Sequence, residues 1–226
     1  MKLYKSIINF LIAILCCLYF VSCKNEPNTN AHSGSRVDTL PFYKEATFKP
    51  YWFESDATEL ADFHKISPFE LINQDSVKVT DKSLENKIYV ADFFFATCPG
   101  ICPKMTDNMK LLQDAFLEDD DVMLVSHSVT PNHDTPEVLR DYGKEKGVNS
   151  KKWHLLTGER EVIYKLGRKD YFIEEDLGLQ REEDDFLHTE NFVLVDKNKH
   201  LRGIYNGLNK NDIKQIIADV KTLKKE

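Results

Sequence analysis

The sequence is poor in cysteine and carries no excess of positive charge. Five cysteines occur in 226 residues, and three of them, Cys16, Cys17 and Cys23, belong to the N-terminal export segment. The formal net charge of −7 at pH 7 argues against nucleic acid as a partner and against electrostatic binding to anionic lipid. Only Cys98 and Cys102 remain for chemistry, which limits that chemistry to disulfide exchange or the binding of a soft metal.

The sequence also lacks a hydrophobic run long enough to predict a membrane-spanning helix. The apolar stretch from Ser6 to Phe20 is short and lies close to the N-terminus. Lys2 and Lys5 precede this stretch, and the combination predicts a signal peptide at residues 1–22. Its removal would lower the formal charge of the chain to −9, because it contains two lysines and no acidic residue.

The end of the signal peptide, Phe20-Val21-Ser22-Cys23, resembles a bacterial lipoprotein box, although Phe20 replaces the usual Leu. We expect Cys23 to be lipidated and residues 23–39, which are polar and without apolar period, to form a flexible tether. Two or three acyl chains would hold an exported domain on a membrane of the bacterial cell envelope, facing the periplasm. The alternative is ordinary signal cleavage nearby, which would release a soluble protein.

Residues 40–226 show no internal repeat and no second boundary, and they predict one domain. Strand patterns alternate with helix patterns until a final hairpin and helix, which predicts an α/β domain with a mixed β-sheet flanked by helices and an N-terminal β-hairpin extension. A cysteine pair after the first central strand, together with the closing ββα unit, is typical of the thioredoxin-like fold. The predicted strands are a hairpin at 69–79, then 87–95, 122–126, 153–157, 191–196 and 201–205; the predicted helices are 104–117, 134–147, 159–167 and 213–223.

The spacing Cys-x-x-x-Cys on a loop that enters a helix lets both sulfurs approach the helix N-terminus. Free N–H groups and the helix dipole favour thiolates there, and Pro103 suits the first helical turn. The pair can form a reversible disulfide or bind a soft ion, of which copper(I) is the obvious candidate outside the cytosol. An inert structural disulfide is the third possibility, but closing so short a loop stabilises the fold by only about 2 kcal/mol or less.

Copper needs a third ligand, and His188 is the favoured histidine. It precedes the predicted core strand at 191–196, and in a thioredoxin-like fold the segment that enters this strand faces the cysteine loop. Thioredoxin-type oxidoreductases keep a cis-proline there, whereas this chain has Leu187-His188-Thr189-Glu190, which favours metal binding over a pure redox role. The remaining histidines are interpreted as structural or exposed: His32, His64, His127, His133, His154 and His200.

Three other features receive structural interpretations. Met105 and Met109 share a helical stripe with core residues and are predicted to pack in the core rather than to bind metal. The acidic run at 174–185 is interpreted as a solvated loop, with a docking or copper-attracting surface as the alternative. Asp134 is predicted to cap the helix that begins near Thr135.

Taken together, these residues resemble the Sco/SenC family of copper-handling proteins. The resemblance rests on Cys98-Pro99-Gly100-Ile101-Cys102-Pro103, on the segment from Ser128 to Pro136 (Ser-Val-Thr-Pro-Asn-His-Asp-Thr-Pro), and on His188, and it covers about residues 60–226. It implies a membrane-anchored thioredoxin-like domain that binds one copper, Cu(I) or Cu(II), through Cys98, Cys102 and His188. Gly100 and Thr130 stand where many members carry Asp, so a fourth, oxygen ligand is not predicted.

Two functions follow as expectations. The resemblance implies a copper metallochaperone that serves assembly of the dinuclear copper centre of cytochrome c oxidase, with the copper-receiving oxidase subunit as partner. The alternative is a thiol–disulfide reductase that keeps the cysteines of that oxidase site reduced, with Cys98 as the attacking thiol of a redox-active Cys98–Cys102 pair. A redox-inert binding module with the same fold is a third hypothesis.

Overall fold

The structure is a computed structural model that describes residues 34–54, 56–173 and 189–226. The predicted signal peptide, Cys23, the first part of the predicted tether, the acidic run and His188 lie outside the described residues. The strands are β1 (Glu70–Asn73), β2 (Lys78–Thr80), β3 (Ile88–Phe94), β4 (Val122–Ser128), β5 (Trp153–Thr157), β6 (Asn191–Val195) and β7 (Leu201–Asn206). The α-helices are α1 (Cys102–Ala115), α2 (Pro136–Lys146), α3 (Arg160–Lys165) and α4 (Lys210–Leu223). Short 3₁₀ turns occur at Thr58–Leu60 and Asp81–Leu84, and a π-helical turn, Leu166–Asp170, extends α3.

The seven described strands form one mixed sheet in the order β2-β1-β5-β4-β3-β6-β7. Strands β3, β4 and β5 run parallel, whereas β6, β7 and the β1–β2 hairpin are antiparallel to their neighbours. The hairpin joins the sheet at the edge beside β5, and the β6–β7 hairpin forms the opposite edge. The predicted mixed sheet and its N-terminal hairpin extension are therefore confirmed.

Strand β3 is buried along its whole length because both faces of the sheet are covered. Its even-numbered apolar residues, such as Val90 and Phe94, pack against α1, α2 and α4. Its odd-numbered residues, such as Ala91 and Phe93, pack against α3, the π-helical turn and the segment before β1. Alternation along one strand therefore divides the core into two layers.

Arg202, which is buried on β7, joins the segment at Leu40 and Pro41 to Glu226. Its guanidinium donates to the carbonyls of Leu40 and Pro41 and to the carboxylates of Asp196 and Glu226. Five donors in a planar fork satisfy these acceptors at one point. The C-terminal residue and the segment that follows the tether are therefore held against the same strand.

His127 on β4 lies in the second layer with no hydrogen-bond partner for either ring nitrogen among the described residues. Its ring stacks on Phe93 at 4.8 Å between centroids and contacts the rings of Phe69 and Tyr171. Burial lowers the pKa of His127 to about 3. The imidazole is therefore a neutral core side chain, in agreement with the structural role that the sequence predicted.

We predict that His127→Phe gains stability relative to the wild type as pH falls from about 8 to about 5. In the wild type, the unfolded state binds a proton at His127 below about pH 6.5 and the folded state does not, so the contribution of His127 to stability falls as pH falls through that value. At about pH 5 this linkage costs the wild type about 2 kcal/mol, a cost that Phe removes. Urea unfolding of both proteins at about pH 8 and about pH 5 measures it.

The control is His133→Gln, which also removes an imidazole, because His133 is exposed and does not belong to the aromatic cluster around His127. The prediction is wrong if the stability difference between wild type and His127→Phe is the same at both pH values.

Candidate metal centre

Cys98 and Cys102 lie at the connection between β3 and α1. The strand ends at Phe94, the chain turns with the Cys98 N–H donating to the Phe95 carbonyl at 3.2 Å, and the helix begins at Cys102. Cys98 is half-buried and Cys102 is 6% exposed, and both thiols are free. Pro103 occupies the first helical turn as predicted, and α1 begins two residues earlier than the apolar period indicated.

The two thiols form a hydrogen-bonded pair in which Cys98 takes the negative charge. Burial raises the pKa of Cys98. Hydrogen bonds from the Cys102 thiol and from the N–H groups of Cys102, Gly100 and Ile101 lower it by a larger amount. The pKa of Cys98 therefore lies below its ordinary value. Burial, followed by the bond to Cys98, raises the pKa of Cys102 to about 12. Of the two thiols, Cys98 is therefore the one that ionises first, and its thiolate accepts a hydrogen bond from the Cys102 thiol.

An apolar cavity of about 350 Å³ opens beside the cysteine pair. One wall comes from the end of β3, another from the cysteine loop, and a third from the residues that follow β4 and precede β6. The lining residues are Phe93, Phe94, Phe95, Cys98, Pro99, Gly100, Ile101, Cys102, Val129 and Thr189. The cavity therefore places Thr189, the neighbour of His188 in the sequence, at the same site as both cysteines.

The described residues bring together only two of the three predicted ligands, because His188 lies outside them. In residues 34–54, 56–173 and 189–226, no group of three His, Cys, Asp or Glu side chains could hold a metal ion. Met105 and Met109 are fully buried in the core, as predicted. The described histidines are distributed elsewhere in the fold: His64 and His200 near the N-terminal segment, His127 in the core, His133 on an exposed turn and His154 beside Asn73.

Asp134 does not cap α2, so that prediction was wrong. The cap is Thr135, whose hydroxyl accepts from the Val138 N–H at 3.4 Å. Asp134 is fully buried and accepts instead from the Ala96 N–H at 3.0 Å, on the loop that carries Cys98. A short polar side chain before a helix is a common cap signal, and sequence spacing alone could not reveal a partner 38 residues away.

Asp92, a second residue that the sequence analysis missed, lies on β3 beneath the cysteine loop. It is 2% exposed, and burial raises its pKa to about 7 although a hydrogen bond with Ser126 opposes the shift. Its Oδ1 atom has no partner among the described residues. Burial raises the pKa values of Cys102 and Tyr142, and the negative charge of Asp92 raises both of them further. One acidic residue inside an otherwise apolar strand was the signal that could have revealed it.

We predict that an alkylating reagent reacts with Cys98 well before Cys102 in the reduced, metal-free protein. The Cys98 thiolate is stabilised and partly accessible, whereas Cys102 is a buried thiol with a raised pKa. Iodoacetamide labelling at about pH 7, followed by mass spectrometry of the two cysteine peptides, measures both rates. Cys102→Ser and Cys98→Ser are the matched variants that leave one thiol each, and faster labelling of Cys102 would contradict this assignment of charge.

Comparison with known proteins gives a consistent result. The family model described as SCO1/SenC matches residues 57–225. A SCO1/SenC family lipoprotein from Bacillus anthracis is 34% identical, with a TM-score of 0.63 over 71% of this chain and 95% of that chain. BsSco, described as a member of the Sco family of cytochrome c oxidase assembly proteins with a disulfide switch, is 31% identical, with a TM-score of 0.61 over 72% and 94% of the two chains.

A third structure is that of ScoI from Arabidopsis thaliana with copper bound. It is 27% identical, with a TM-score of 0.55 over 69% of this chain and 97% of that chain. The agreement of these structures with the sheet order and the helix layers confirms the predicted thioredoxin-like fold. Because the family model covers three quarters of the sequence, the chain belongs to the SCO1/SenC family.

Proposed function

We propose that this protein binds one copper ion through Cys98, Cys102 and His188 and delivers it as a metallochaperone. The observation that carries the proposal is the pair of adjacent free thiols at the N-terminus of α1, where three backbone N–H groups favour negative charge on Cys98. Soft sulfur ligands select copper(I) among the ions of an oxidising compartment. Two thiolates and one Cu⁺ carry a net charge of −1, which these N–H groups and the helix dipole stabilise.

Position supports His188 as the third ligand. Thr189 lines the cavity beside both cysteines, and consecutive Cα atoms are only about 3.8 Å apart. Among the described histidines, His127 is enclosed by aromatic rings, His64 bonds to the Asp170 carbonyl, and His200 bonds to the His64 carbonyl. A neutral imidazole is a suitable third donor beside two thiolates.

The relatives support copper as the cargo and an oxidase as the recipient. The Arabidopsis ScoI structure contains copper, and BsSco belongs to a family of cytochrome c oxidase assembly proteins. We infer that the partner is the copper-receiving subunit of cytochrome c oxidase and that the product is its dinuclear copper centre. Ligand exchange from Cys98 and Cys102 to thiols of the recipient would transfer the ion.

We infer that lipidated Cys23 holds the protein on a membrane of the bacterial cell envelope, facing the periplasm. The signal peptide and lipoprotein box support this inference, as does the relative from Bacillus anthracis, which is a lipoprotein. In the described residues, no helix is long and apolar enough to cross a membrane. The polar residues that follow Cys23 would give the domain reach toward a membrane-embedded partner.

A thiol–disulfide reductase is the second candidate, and the same thiol pair favours it. A half-buried thiolate next to a buried thiol is the arrangement that attacks a disulfide and then resolves the mixed disulfide. BsSco, which has a disulfide switch, supports reversible oxidation in this family. Reduced cysteines on the recipient are also a condition for copper insertion, so the two functions are compatible.

We predict that the reduced fragment 24–226 binds one Cu(I) per chain and that His188→Ala weakens the binding at least about tenfold, because two thiolates alone leave the ion with an open position. Competition with a chromophoric chelator measures Cu(I), and thiolate charge-transfer absorption reports Cu(II). His133→Ala is the matched control, because His133 is exposed and is not one of the residues that line the cavity. Equal affinities in all three proteins would reject His188 as a ligand.

The reductase candidate makes a different prediction. Cys98 and Cys102 should interconvert reversibly between dithiol and disulfide, and the reduction potential should be the same in His188→Ala as in the wild type, because exchange needs no imidazole. Equilibration with glutathione buffers followed by trapping of free thiols measures the potential. A disulfide that does not re-form after reduction would remove this candidate.

A further inference from the structure

The segment from Ser128 to Pro136 carries part of the family resemblance, yet none of its residues is a proposed copper ligand. Two of its polar side chains, Ser128 and Asp134, are 0% exposed. The Oδ2 atom of Asp134 accepts three hydrogen bonds: from the Ala96 N–H at 3.0 Å, the Ser128 hydroxyl at 2.6 Å and the Thr130 hydroxyl at 3.0 Å. A buried carboxylate that collects donors from two separate loops acts as a link between those loops.

One of the two loops is the cysteine loop. Strands β3 and β4 are parallel neighbours, Phe94 is paired with Ser128, and the Val129 N–H donates to the Phe94 carbonyl at 2.9 Å. The segments that follow β3 and β4 therefore leave the sheet side by side. Ala96 stands between the last residue of β3 and Cys98, so its bond to Asp134 fixes the start of the turn that carries Cys98.

Thr130 contributes to this link in a way that aspartate would not. The resemblance expects Asp at this position, but an ionised carboxylate has no proton to donate to Asp134 and would repel it. The Thr130 hydroxyl donates instead. In this chain the departure at Thr130 thus completes the set of three donors.

The other oxygen of Asp134, Oδ1, is buried and has no partner among the described residues. Asparagine is therefore not a harmless replacement. An amide can present one oxygen to the three donors, but its NH₂ group would then occupy the position of Oδ1, where the described residues offer no acceptor. The amide oxygen would also lack the charge that strengthens the three bonds.

We propose that Asp134 is the positioning residue of the cysteine loop: it holds Ala96, and through it Cys98, in the geometry in which the N–H groups of the α1 N-terminus reach the Cys98 sulfur. The copper part of this inference rests on the proposed function. The part that concerns the reactivity of the Cys98 thiol stands without copper.

The test compares Asp134→Asn with Asp170→Asn in the full-length chain. Asp170 is a matched control, because it is also buried, accepts through one oxygen from the N–H and the hydroxyl of Ser67, and has a second oxygen without a partner among the described residues. It belongs to the π-helical turn rather than to the cysteine loop. Both variants should therefore lose stability toward urea by a comparable amount.

We expect only Asp134→Asn to change the cysteine site. Labelling of Cys98 by iodoacetamide in the metal-free protein should slow about tenfold, and Cu(I) affinity by chelator competition should fall about tenfold, as expected for weakening one charge-assisted hydrogen bond. Thr130→Val removes a single donor, so it should lower the Cys98 labelling rate and the Cu(I) affinity by less than Asp134→Asn does. If Asp134→Asn does not fold, Thr130→Val serves as the test variant.

The proposal is overturned if Asp134→Asn keeps the Cys98 labelling rate and the copper affinity of the wild type. It is also overturned if Asp170→Asn changes both quantities as much as Asp134→Asn does. If the wild type binds no copper, the metallochaperone proposal fails, and the Cys98 labelling rates still decide the role of Asp134.

Discussion

The parallel pairing of β3 with β4 is the constraint on which the rest of the site depends. Seven consecutive residue pairs, from Ile88 with Val122 to Phe94 with Ser128, hold the two strands in register at the centre of the sheet. Because the strands are parallel, they end at the same edge, where the ligand-binding loops of open α/β sheets usually lie. The cysteine loop and the Ser128–Pro136 segment therefore begin as neighbours, and a side chain as short as aspartate can bridge them.

The electrostatics of the site favour a cation or a shared proton. N–H groups stabilise Cys98 as a thiolate, but Asp92 lies beneath the loop, and its charge helps to raise the pKa of Cys102. A second thiolate is costly here as long as no positive charge arrives. A bound Cu⁺ would offset that cost. In the absence of metal, Cys102 avoids that cost by keeping its proton. A Cys98 thiolate beside a protonated Cys102 is also the state from which thiol–disulfide exchange begins.

Sequence reasoning succeeded where the signal is local and failed where the partner is remote. The continuous apolar run gave β3, three- and four-residue spacing placed Met105 and Met109 in the core, and Cys-x-x-x-Cys before a helix located the thiol pair. The same reasoning treated Asp134 as a cap and passed over Asp92, because hydrogen bonds to Ala96 and Ser126 depend on which strands become neighbours. His188 was chosen by its place before a strand, and only its neighbour Thr189 belongs to the described site.

Two buried titratable groups on adjacent strands give the stability of this fold opposite responses to pH. His127, with a pKa lowered from 6.5 to about 3, makes the folded state lose stability as pH falls, because only the unfolded chain binds the proton. Asp92, with a pKa raised from 3.8 to about 7, makes it lose stability as pH rises, because there the folded chain is the one that retains a proton. Between about pH 4 and pH 6.5 the two slopes have equal size and opposite sign. Their contributions therefore cancel in the wild type over that range, and removing either group exposes the slope of the other.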